Sequence, residues 1–132
     1  MTTGDGWQIV QFVLRILLAI VFIGMGINHF RPKAARIMAK MIPPFLRFEG
    51  VFRPAVLVAF TGVCEVAGGV GLLIPATQLA AGILLAVFLV CVFPANAYAA
   101  AHPEVFRSLS IPLVPRLIAQ VVGIVLCVVA VV

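Results

Sequence analysis

The one residue whose type and place most demand a chemical explanation is Glu65, inside "FTGVCEVAGGVGLLIP", residues 60–75. Between Pro54 and Pro103 it is the only Asp, Glu, Lys or Arg. A carboxylate at such a place costs a few kcal/mol or more to insert into hydrocarbon, so it must be paired, hydrated or put to use. Other polar residues within or beside apolar runs include Arg15, His29, Asn96, Arg116 and Gln120. These six are the candidates for a polar interior or a ligand site.

Their spacing places them on stripes. Arg15, Phe22, Gly26 and His29 share one helical face. Val58, Thr61, Glu65, Gly68 and Leu72 share another, and Arg116, Gln120, Gly123 and Cys127 a third. Polar groups within a membrane turn toward the protein and pair with one another. Counting depth from the ends of the apolar runs puts Arg15 and Glu65 roughly 6 Å apart along the bundle axis. The expectation is an Arg15–Glu65 ion pair, with His29, Asn96, Arg116 and Gln120 lining the other half of the same interior. Such a network could be purely structural, fixing helix register. The sharper alternative is a site for a small hydrophobic molecule, a quinone or a proton, though the sequence leans toward the structural reading.

Several chemistries are set aside. His29 and His102 both stand at the ends of their runs, which disfavours a haem held between facing helices. No HExxH, Cys/His cluster or carboxylate pair offers a metal site. Ser108 and Ser110 belong to a loop, far in sequence from Asp5, so no catalytic triad is suggested. The glycines of the Glu65 segment lie within a span without a following basic residue, unlike a phosphate-binding loop. There is no self-contained catalytic motif, no cofactor is evident, and quinone is the one the polar interior would suit.

The elements that must position these residues follow from composition. The chain has 132 residues, 64% of them hydrophobic and 10% charged. Soluble domains are about one-quarter charged. Four apolar runs, about 7–29, 54–74, 78–100 and 111–132, are each near the roughly 20 residues that cross a bilayer. The expected fold is all-α: an up-and-down four-helix integral membrane bundle occupying residues 1–132 as a single domain. The first run is too long and lacks the basic start of a signal peptide, so it is expected to remain as a helix. Between the first two runs, "PKAARIMAKMIPPFLRF" sets Ile37, Met38, Met41 and Ile42 on one side and Arg36 and Lys40 on another. That is the pattern of an interfacial amphipathic helix.

The formal charge of +5 does not imply nucleic-acid binding. It concentrates in Arg31, Lys33, Arg36, Lys40, Arg47 and Arg53. By the positive-inside rule the loop of residues 30–54 is cytoplasmic and both termini face outward. Cys64, Cys91 and Cys127 fall within runs and read as small apolar residues; Cys64 and Cys91, at similar depth, are the only candidates for a redox pair. Pro94 interrupts the third helix and should free the Val90 carbonyl, which then needs a polar partner such as Asn96.

"GMGINHFRP", "MIPPF", "TGVCEVAGGVGLLIP", "VFPANAYAA" and "PLVPRLIAQ" occur in this order along the chain. Together they resemble the DoxX family of small four-helix membrane proteins, particularly its DoxX-like branch. The resemblance places that family's polar set on His29, Glu65, Asn96, Arg116 and Gln120. It implies an inner-membrane accessory subunit or quinone-binding component of a redox or stress-linked complex, with soluble or membrane redox partners. Non-enzymatic relatives keep a second reading open, an assembly factor or chaperone. A small transporter is a third. Contact with the lipid bilayer is expected in every case, and a homo-oligomer through the Ala/Gly faces is a further expectation.

Overall fold

The structure, a computed structural model, describes residues 3–102 and 113–132. The third loop, with Arg107, and the expected start of the last span at residue 111 lie outside the described residues. Within them the chain is all-α, with helices α1 (Thr3–Asn28), α2 (Pro32–Met41), α3 (Pro54–Leu73), α4 (Gln78–Ala101) and α5 (Leu113–Val129). Short 3-10 turns at Pro44–Leu46 and Gly50–Phe52 connect α2 to α3. Helices α1, α3 and α4 are each long and apolar enough to cross a membrane, and α5 is a shorter apolar helix.

Proline sets the ends of the short elements. Pro32 and Pro54 open α2 and α3 at the first helical position, where a missing N–H costs nothing. Ile42, before Pro43, is extended, because proline excludes its predecessor from the helical region. At the turn after α3, the Thr77 hydroxyl donates to the Gly71 carbonyl at 2.9 Å, satisfying a carbonyl exposed at the helix end.

The long helices pack in the order α1–α3–α4–α5, with α1 and α5 touching only lightly. Their register is set by glycine. A Cβ on Gly26 would lie 2.8 Å from the Gly62 carbonyl oxygen, and one on Gly62 would lie 2.7 Å from His29 Cβ. Farther along the same seam, a Cβ on Gly69 would stand 2.7 Å from Ile23 Cγ1. Between α4 and α5, Gly82 brings its backbone against Val131 and the Cys127 carbonyl. In lipid, where water offers no drive to bury apolar side chains, such close approach is a main source of helix association.

The apolar core is lopsided. Leu18, Phe22, Leu72, Leu85, Cys127 and Ala130 close the end of the bundle that holds the α3–α4 turn. The opposite end, where α1 stops and α2 begins, is not filled.

Candidate functional site

The unfilled end is a cavity of about 780 Å³, bordered by α1, α2, α3, α4 and Arg116 of α5. Its walls are chiefly apolar: Ile37, Met38 and Met41 from α2, Leu57 from α3, and Phe88 and Val92 from α4. The apolar side of α2 therefore covers the cavity, while Arg36 and Lys40 remain exposed. Met25 and Cys91, which also border the cavity, are exposed on the outer surface of the long helices.

The polar groups are few and gathered. His29 Nε2 stands 3.2 Å from Glu65 Oε2, and both residues border the cavity. Glu65 is only 3% exposed. The contact is short but not aligned as a hydrogen bond, and Oε2 is buried without one. His29 is anchored from behind: its Nδ1 lies 3.0 Å from the Val58 carbonyl and 3.0 Å from Thr61 Oγ1. Thr61 in turn donates to the Val58 carbonyl at 2.8 Å. A carbonyl only accepts, so Nδ1 carries a proton and Nε2 is left to face the carboxyl. A proton held between Nε2 and Oε2 would leave the pair neutral overall, whichever atom carries it.

This corrects the expected Arg15–Glu65 pair. Gly26 is level with Gly62 and Val66, which places Arg15, eleven residues earlier, about 16 Å away along the axis. Arg15 Nη1 instead donates to the Ala130 carbonyl at 3.0 Å, and Gln11 Nε2 donates to the Val129 carbonyl at 2.9 Å. These carbonyls end α5 beyond the last helical hydrogen bond, and a cation there also complements the helix dipole. Arg15 fastens α1 to α5 at the packed end, away from the cavity.

The remaining candidates form a second polar group. Arg116 Nη1 donates to Asn96 Oδ1 at 3.3 Å, and Asn96 Nδ2 donates to Gln120 Oε1 at 3.4 Å. Asn96 and Arg116 border the cavity opposite Glu65, whereas Gln120, 8% exposed, is turned inward from it. Gln120 Nε2 donates to the Leu89 carbonyl. The expectation for Pro94 is thereby adjusted: Pro94 does sit within α4, but the carbonyl met by a side chain is that of Leu89, one residue before Val90.

Thr61, Arg47 and Tyr98 contribute without a signal of their own in the sequence. Thr61 is marked there only by its place on a stripe. Arg47 Nε donates to the Ile42 carbonyl at 2.7 Å and Nη2 to the Lys40 carbonyl at 3.0 Å, holding the end of α2. Its guanidinium also lies 5.5 Å from the centre of the Tyr98 ring, joining α2 to the end of α4. The paired prolines 43 and 44 were the available clue, since they turn the chain back toward α2. The three cysteines are free thiols, with Cys91 exposed, Cys64 half-buried and Cys127 buried. Among the described residues no group of His, Cys, Asp or Glu could hold a metal ion.

Fold and site together define a small multi-pass membrane protein with a buried His–Glu pair. The chain belongs to the family described as a domain of unknown function, DUF8561, which matches residues 18–131. No curated protein and no solved structure matches it.

Proposed function

We propose that this protein is a membrane-embedded binding component for a small hydrophobic molecule of the quinone class, serving a redox or stress-linked complex as an accessory subunit. The observation that carries this reading is the cavity: about 780 Å³ of largely apolar space with His29 and Glu65 on one wall and Asn96 and Arg116 on another. Small-molecule sites are typically about 300–1,000 Å³, apolar, with a few convergent polar groups. Exposed residues of apolar helices on the cavity's border, Met25 and Cys91, suit a ligand that arrives from the bilayer. The motif resemblance to the DoxX family supports the redox setting, and the basic segment around α2 supports a cytoplasmic position for this end in a cell inner membrane. The chain itself would supply binding and orientation, with electron transfer left to partners.

A second reading, an assembly factor, is favoured by the fact that His29 and Glu65 also tie the end of α1 to α3. The two readings separate in one experiment. Protein extracted from its own membranes is analysed by mass spectrometry for non-covalent lipophilic molecules, then melted with and without a decyl-substituted quinone in its reduced, hydroquinone form. A bound molecule and a higher melting temperature are expected; at a hundredfold excess over Kd the gain is about 2.7 kcal/mol. An empty cavity and an unchanged melting temperature would leave the structural reading.

A further inference from the structure

We infer that the Glu65 wall of the cavity recognises a hydrogen-bond donor, so that among apolar ligands it selects those carrying a hydroxyl, such as a phenol or a hydroquinone, over their ether or quinone counterparts. The inference rests on the ligand-site reading above and narrows it to one chemical class.

The argument starts behind His29. The Val58 carbonyl, 3.0 Å from Nδ1, and the Thr61 hydroxyl, which spends its own proton on that carbonyl, both accept from Nδ1. The imidazole thus cannot turn Nδ1 into an acceptor without facing a carbonyl lone pair, and its orientation toward Glu65 is fixed. Nε2 and Oε2 stand 3.2 Å apart, close enough for one proton to pass between them. If it rests on Nε2, both carboxylate oxygens accept. If it rests on Oε2, the other oxygen is a carbonyl and still accepts. In either state Glu65 presents an acceptor to the cavity it borders, and Oε2 is buried without an aligned hydrogen bond.

An acceptor nine-tenths buried in apolar surroundings discriminates strongly. A ligand oxygen without a proton would meet it lone pair to lone pair and leave both desolvated and unpaired. A hydroxyl would satisfy it. Sites built to hydrogen-bond a hydroxyl reject analogues that lack it far better than apolar pockets reject a methylene. The aromatic and methionine surfaces of Phe88, Met38 and Met41 suit a flat ring attached to that hydroxyl.

The test uses the full-length protein in lipid nanodiscs with two probes, para-octylphenol and its methyl ether para-octylanisole. The phenol is expected to bind at least about tenfold more tightly, a margin typical of a satisfied against an unsatisfied polar group. Substituting Glu65→Met, which keeps length and removes the acceptor, is expected to abolish the preference. In unsubstituted protein, the infrared carboxyl bands are expected to shift with the phenol and not with the ether. Equal affinity for both probes, or a preference that survives Glu65→Met, would overturn the inference while leaving the cavity a ligand site. Binding of neither probe would overturn the ligand-site reading itself. Should Glu65→Met fail to fold, unchanged carboxyl bands with bound phenol overturn the inference alone.

Discussion

His29, the first residue beyond α1, meets Glu65, three turns into α3, at 3.2 Å. The meeting is possible because α1 ends level with Gly62 rather than with the start of α3. The first two turns of α3 therefore rise past α1, and α2 packs against them. A gap in helix length thus creates both the pair and the cavity above it.

The glycine seam should be the least tolerant part of the bundle. Gly62→Ala would drive a methyl to 2.7 Å from His29 Cβ and 3.0 Å from the Gly26 carbonyl. Neither is the end of a flexible chain, so a loss of about 1–3 kcal/mol is expected from overpacking. Gly24→Ala, on α1 with nothing within 4 Å, should be neutral or stabilising by up to about 1 kcal/mol. Melting of the two variants in the same detergent checks the contrast.

Removing the amide of Gln120 leaves the Leu89 carbonyl without that donor and frees the Asn96 amide. Gln120→Leu should cost about 1–3 kcal/mol, the penalty for unsatisfied buried polar groups. Unfolding measured by denaturant titration reads this directly. A neutral result would mean that water or another donor serves that carbonyl.

Arg47 should govern the closure of the cavity. Its two bonds to the end of α2 are short, whereas its 3.4 Å contact with the Tyr98 hydroxyl is long. Arg47→Gln is therefore expected to speed hydrogen exchange throughout residues 32–41, while Tyr98→Phe leaves exchange nearly unchanged because the ring is kept.

Arg15 and its neighbour Gln11 should act at the far end. Arg15→Gln is expected to destabilise the packing of α5 on α1 by about 1.5–3 kcal/mol, the range for hydrogen bonds to charged groups. It should not alter ligand binding at the cavity. Melting and ligand titration on the same preparation separate the two effects.

Much of the fold was legible because it rests on composition and period. The apolar runs became α1, α3, α4 and α5, and the amphipathic pattern of residues 32–42 became α2. The grouping of His29, Glu65, Asn96 and Arg116 around one space was also legible, since polar side chains in apolar helices have few other places to go. Register was not. Depth counted from the ends of apolar runs assumes that helices start in one plane, whereas Gly26, Gly62 and Gly69 fix how far α1 slides along α3. Backbone contacts of that kind leave no periodic trace. The role of Arg47 was hidden for another reason: in a basic segment, one arginine that caps a helix looks like those that face water.

The most direct measurement is a pair of double-mutant cycles on Glu65, read by unfolding free energy. One combines Glu65→Gln with His29→Gln, the other Glu65→Gln with Arg15→Gln. Residues in contact couple by about 0.5–3 kcal/mol, and distant ones add within about 0.5 kcal/mol. The His29 cycle is expected to show coupling and the Arg15 cycle additivity. Coupling of Glu65 to Arg15 with additivity toward His29 would contradict the account at its centre.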